Sequence, residues 1–152
     1  MKPIPLLCSI MLILSFLGFA VPGLSGEPTE KIQQTTDKIL SILTNPSLKD
    51  LSKAKERKRL IRNAVDERFD WEEMAQRSLA RHWDQRTEEE KKEFVHLFSD
   101  LLERTYMSKV ESYSGEKVKY EGETTSGDYA SVKVKIATQK NKDISVEYRL
   151  KR

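Results

Sequence analysis

The sequence predicts an α+β domain, with four or so amino-terminal helices packed on one face of an antiparallel β-meander and an apolar cavity between the layers. Three observations predict it. Apolar residues recur at three- and four-residue spacing from Ile32 to Val110, the period shortens to two after Gly115, and the alternating segments present a single apolar face. Helices first and a one-sided sheet second are the layering of that class, and 152 residues have room for one such core.

Pro28 and Thr29 open the first helix, which carries Ile32, Thr36, Ile39, Leu40 and Leu43 on one side and stops before Asn45-Pro46. Ser47 is placed to cap a second helix. Its stripe is Leu48, Leu51, Leu60, Ile61, Ala64 and Val65, while Lys49, Lys53, Lys55, Arg57, Lys58, Arg59 and Arg62 occupy the other faces against Asp50 and Glu56. Phe69-Asp70-Trp71-Glu72-Glu73-Met74-Ala75 has the grammar of a third start. Asp70 accepts from freed backbone N–H groups, Glu73 reaches back, and Phe69 and Met74 staple across the cap. That helix is expected to run through Ala80 to about Trp83. Thr87 and Glu90 form a further capping box for a long helix bearing Phe94, Val95, Phe98, Leu101, Leu102, Tyr106 and Val110, with Ser114-Gly115 as its stop.

Beyond Gly115, Val118 and Tyr120 alternate with lysines and Glu121. Val132, Val134 and Ile136 alternate with Lys133 and Lys135, and Ile144, Val146, Tyr148 and Leu150 alternate with Ser145, Glu147 and Arg149. The turn-rich connections at 124–128 and 140–143 make a meander the economical topology. The last strand reaches Arg152 without a cap, an edge blunted by Arg149, Lys151 and Arg152. With a sheet this small for four helices, the expectation is a domain truncated at its carboxyl end.

The amino end is segregated. Lys2 precedes an uncharged run from Pro3 to Gly26 that contains an apolar stretch from Leu6 to Val21 and the small-residue pattern Gly18-Phe19-Ala20. This reads as a cleaved signal peptide over 1–20, with cleavage as late as 26, followed by a single domain over 27–152. An uncleaved anchor helix is the alternative, opposed by Pro22, Gly23, Pro28 and the lack of a basic stop-transfer cluster. The one cysteine, Cys8, lies in this leader, and Pro5-Leu6-Leu7 before it do not form a lipoprotein cleavage box. The mature chain thus has no thiol for a disulfide, a metal or nucleophilic attack, and packing must hold it.

Charge selects no nucleic-acid partner, since the formal balance is only +3 with 34% of residues charged. Two histidines are present; His82 lies near Asp70 and Asp84, and His96 near Asp100, without a serine, cysteine or second histidine at triad or metal spacing. No catalytic residue, metal site or cofactor is assigned. The basic stretch from Lys49 to Arg62 reads either as a solvated face or as a docking surface for an acidic partner or anionic membrane, testable by charge reversal at Lys55, Arg57 and Arg59. Trp71, Trp83, Phe94, Phe98, Tyr106, Tyr120 and Tyr148 are either plain core or the walls of a dry cavity.

The run Phe69 to Ala75, then Leu79-Ala80-Arg81-His82-Trp83, Phe94-Val95, Leu97-Phe98, Leu101-Leu102, Arg104-Thr105-Tyr106 and Tyr113-Ser114-Gly115, resembles the MlaC family, the toluene-tolerance or Tgt-type periplasmic phospholipid-binding proteins. The resemblance spans nearly all of residues 29 to 150. It implies a periplasmic carrier, involved in outer-membrane lipid asymmetry, that moves phospholipid between an outer-membrane lipoprotein–porin complex and an inner-membrane ABC transporter with an MCE-domain ring. Family members continue with a Trp-containing strand and carboxy-terminal helices. The inward candidates for lipid contact are Leu79, Trp83, Phe98, Leu102 and Tyr106 on the helices and Val132, Val134, Ile136, Val146 and Tyr148 on the sheet. Two other readings stand beside the carrier: a small cavity enzyme of the nuclear-transport-factor-like kind using His82, and an adaptor domain that binds no ligand.

Overall fold

The alternation after Gly115 folds into strands β1 (Lys117–Ser126), β2 (Tyr129–Ala137) and β3 (Ile144–Lys151), paired antiparallel in that order. Before them come α1 (Glu27–Thr44), α2 (Ala54–Asp66), α3 (Trp71–Leu79) and α4 (Glu88–Glu111), which gives the predicted α+β order. This computed structural model describes residues 26–137 and 143–151; the signal segment 1–20, Cys8 and most of the second hairpin connection lie outside the described residues.

The register places Tyr120, Val134 and Val146 in one row and Val118, Ile136 and Ile144 in the next, so the apolar side chains of all three strands share one face. Gly127, at φ 55°, supplies the left-handed conformation that the tight turn between Ser126 and Tyr129 requires. A bulge between Tyr120 and Gly122 shifts the phase of β1, which brings Glu123 opposite buried Val132 and onto the apolar face.

That shift joins the two layers. Glu123 Oε2 accepts from the Thr29 backbone N–H at 2.9 Å and from the Thr29 hydroxyl at 2.6 Å. Gly26, the N-cap of α1, has no side chain to accept these donors, so the sheet supplies the capping carboxylate. One turn later Ile32 is buried against Val132 and Val134, with Val118, Tyr120, Tyr148 and Leu150 packed around them. The helix lies against β1 and β2.

The second predicted helix begins later than its apolar stripe suggests. Asn45 Oδ1 accepts from the Ser47 N–H at 3.0 Å and Asp50 Oδ1 from the Ser52 N–H at 2.7 Å, each closing a 3-10 turn, Pro46–Leu48 and Leu51–Lys53. These short side chains offer the backbone an alternative to α-helix, and α2 starts only at Ala54. Asn45, not Ser47, caps the first of these turns, and α2 itself has Lys53 at its N-cap with no side-chain bond. Leu48 is buried, as are Ile61 and Ala64, but Leu51 is 89% exposed.

Two arginines of α2 reach α4. Arg57 donates to Glu111 at 2.9 Å and to the Leu48 carbonyl at 2.6 Å. Arg62 donates to Asp66 at 2.8 Å, to Glu103, and to the hydroxyl of buried Ser99 at 3.2 Å. Burial would lower the Arg62 pKa, but bonding to Asp66 and Glu103 outweighs it and the net displacement is upward.

Asp70 caps α3 as expected, accepting from the Glu73 N–H at 2.9 Å, while Phe69 stacks on Trp71 with ring centres 5.5 Å apart. The helix does not continue to Trp83. Ala80 adopts φ 47° and ψ −126°, and a 3-10 segment (Ala80–Gln85) follows that buries Trp83. Neither glycine nor proline marks this break. The Thr87–Glu90 capping box forms with both reciprocal bonds, and α4 is capped at Ser112, ahead of Gly115 at φ 102°.

Replacing Glu123 by Ala should lower unfolding free energy by about 2 kcal/mol, the value of charge-assisted bonds at a helix start, measured by urea titration. Gly26→Ala should also destabilise, since its Cβ would collide with the Glu123 carboxylate. Ala80→Gly should stabilise by about 1 kcal/mol by relieving the positive φ; unchanged or lower stability would contradict strain there.

Candidate functional site

The inner face of the sheet is covered unevenly. Beneath α1, Ala130, Val132 and Val134 of β2 are buried. Toward β3 the same apolar row opens: Ile136, Val146, Tyr148 and Leu150 are half-buried and Ile144 is 52% exposed. A strip of aliphatic and aromatic side chains on the helix side of a sheet, left half in contact with water, is unusual for residues of this kind. It is the candidate site.

Two phenols stand at its boundary. Burial pushes Tyr148 above the usual tyrosine range, and the nearby Tyr120 phenol adds to the effect. Tyr120 is also raised, by burial first, with Thr36 opposing. Among the described residues its hydroxyl has no partner at hydrogen-bond geometry, the nearby Thr36 hydroxyl donating instead to the Ile32 carbonyl at 2.9 Å. Buried hydroxyls are rarely left so. The site therefore combines apolar area with two sequestered phenols and carries no charged side chain of its own along β3's inner row.

The residues chosen from sequence fall into three groups. Val132 and Val134 are buried in the contact with α1; Ile136, Val146 and Tyr148 line the open strip. On the helices Trp83 is buried, with the Lys91 ammonium 5.5 Å from its ring centre, and Leu79, Phe98 and Leu102 are half-buried, Phe98 stacked on Phe94. Tyr106 stands apart at 54% exposure, with the Lys109 ammonium 5.4 Å from its ring centre. Ile144 and Leu150 are missing from the sequence candidates, and Tyr120 enters there only as core or cavity wall, although alternation places all three on the same face.

His82 is exposed, and so is His96, 3.7 Å from Asp100. An enzyme built on His82 in a pocket loses its base, because the imidazole faces solvent. Among the described residues no group of His, Cys, Asp and Glu could hold a metal ion, and no helix is long and apolar enough to cross a membrane.

A separate recess of about 390 Å³ lies at the β1–β2 turn, lined by Thr124, Ser126, Tyr129, Ser131, Arg77 and Arg149 among others. Arg77 packs over the Tyr129 ring at 5.5 Å and pairs with Glu73 at 2.7 Å, while Lys151 lies 3.6 Å from Glu73. These contacts tie α3 to that end of the sheet.

A sequence model of the family described as MlaC protein matches residues 33–152. Among solved structures, the chain is similar to the phospholipid-binding protein from Ralstonia solanacearum, determined in complex with a phospholipid. The TM-score is 0.67 at 22% identity, covering 80% of this chain and 69% of that one, which shows a shared fold. No curated protein matches.

The raised phenols carry a sign. A tyrosine whose folded pKa lies above its unfolded value contributes its full stability below the unfolded pKa, near 10, and loses it as pH rises through the folded value. Unfolding free energy should therefore fall above about pH 10. A Tyr120→Phe/Tyr148→Phe protein should lack that fall and the late part of the absorbance titration; an unaltered titration would show that neither phenol is sequestered.

Proposed function

The chain belongs to the MlaC protein family, and on that premise we propose that it binds phospholipid, with the acyl chains against the half-open inner face of β2 and β3 and the head group toward solvent. The apolar strip of Ile136, Ile144, Val146, Tyr148 and Leu150 carries the reading, because it lies on the helix side of the sheet yet is incompletely covered. The Ralstonia solanacearum protein of the same fold was determined with a phospholipid bound, which supports it.

In this reading the protein is a carrier and not a catalyst. Phospholipid with roughly thirty buried methylenes gains about 24 kcal/mol gross from an apolar environment, and a bilayer offers much the same. A protein that matches this value exchanges lipid with a membrane complex through small affinity differences, with no bond made or broken. The place that suits it is the periplasm, entered through the cleaved leader. There residues 27–152 act as one lipid-binding domain between an outer-membrane lipoprotein–porin complex and an inner-membrane ABC transporter with an MCE-domain ring.

Phospholipid should copurify with the native protein, and mass spectrometry of an organic extract should find it in stoichiometric amount. Ile144→Asp or Val146→Asp should reduce retained lipid at least about tenfold with helical circular dichroism preserved, since a carboxylate in the strip must be desolvated beside the chains. A clean extract from native protein would defeat the reading and favour an adaptor whose interior needs no ligand.

A further inference from the structure

The connection that delays α2 is a feature the lipid strip does not use. Leu48 is buried and anchors it, and Asn45 and Asp50 fix its two turns by accepting from Ser47 and Ser52. Ser52 holds the Asp50 carboxyl below the usual range, through its side chain and then its backbone N–H. At the crest Leu51 stands 89% exposed. A leucine held out by a turn that is itself pinned to the core is a defined protrusion.

Cations surround it. Lys55 and Arg59 follow Leu51 at successive four-residue steps, and Lys49 precedes it by two; all three are exposed and none has an ion-pair partner within 4 Å among the described residues. The local acids are engaged: Glu56 with Lys53 at 2.9 Å, and Asp50 within its turn. Arg57 and Arg62, which the sequence alone places in the same patch, are committed to α4. What remains is one apolar tip with unpaired cations before and after it along the chain.

We propose that this turn is a docking element for an anionic bilayer surface, with Leu51 entering the interface and Lys49, Lys55 and Arg59 engaging lipid phosphates. Charge complementarity selects an anionic partner, and the convex leucine selects a deformable one, because a rigid protein surface would need a matching concavity for it. Interfacial binding combines these two parts, apolar insertion and attraction to anionic lipid. The proposal stands on this surface and does not depend on the lipid-carrier reading.

The test is flotation of the full chain with vesicles of 70:30 phosphatidylcholine and phosphatidylglycerol, against vesicles of phosphatidylcholine alone. Binding is expected to the mixed vesicles, falling about tenfold for Leu51→Ser and about fivefold for each charge removed in Lys55→Gln and Arg59→Gln. All three side chains are exposed, so the variants should fold, and circular dichroism checks it. Equal binding to both vesicles overturns the proposal. So does an unchanged Leu51→Ser protein, because a loss confined to the charge variants would leave electrostatic attraction to the vesicle without insertion. Copurified phospholipid measured in the same variants reports on the β3 strip separately, so a failure of docking and a failure of lipid binding are read apart.

Discussion

The carboxylate of Glu123 is where the two layers of this fold are joined. It satisfies the start of α1 from the sheet, with the Thr29 N–H and hydroxyl both donating to one oxygen. The position depends on the bulge in β1, without which residue 122, a glycine, would occupy that row. Ile32 then packs on Val132 and Val134 one turn along α1. Orientation of the helix, burial of the central strand and exposure of the strip on β3 all follow from that one anchored end.

The other helices are held differently. In place of a broad apolar interface, α2 reaches α4 through Arg57 and Arg62, whose carboxylate partners Glu111, Glu103 and Asp100 lie along one side of the long helix. Ser99 is the buried residue of α4, and it receives a bond from Arg62. Ion pairs of this kind fix position with less gain in stability than apolar burial, because each partner gives up hydration to make them. With α1 packed on α2, β1 and β2, and α4 on α3 and the arginines of α2, the apolar row of β3 keeps its opening.

Periodicity made the class of fold legible, and the switch from a three-and-four to a two-residue spacing near Gly115 marks the boundary between layers. Capping chemistry was equally legible at Asp70 and Thr87, where side chain and spacing determine the bond. The breaks were not. Ala80 carries no signal of a positive φ, since alanine is the strongest helix former, and the conformation accompanies the burial of Trp83 three residues on. Asn45 and Asp50 did hold a signal, their affinity for local backbone donors, but the leucines around them looked like a continuous stripe. For the site, alternation identified the correct face of each strand. It could not tell Val134, beneath a helix, from Val146, beside an opening, because both obey the same pattern, and the difference lies in where α1 is anchored by a residue nearly a hundred positions away.

A partly covered apolar strip has a thermodynamic consequence. The sequence holds one cysteine, Cys8, so no disulfide within it compensates for area left unburied, and among the described residues the Tyr120 hydroxyl is left without a partner. Any molecule that fills the strip completes the core. Binding to the folded state alone then adds RT ln(1 + [L]/Kd), about 4 kcal/mol at a thousandfold excess over Kd. With phospholipid in the strip, as proposed, the occupied protein would be the stable form and the empty one poised to refill, which suits the proposed carrier. The same incompleteness sets a limit on affinity. A strip closed fully over its ligand would bind more tightly but would have to unfold part of the helix layer to release it, whereas β3 is open along its row and α1 need not move.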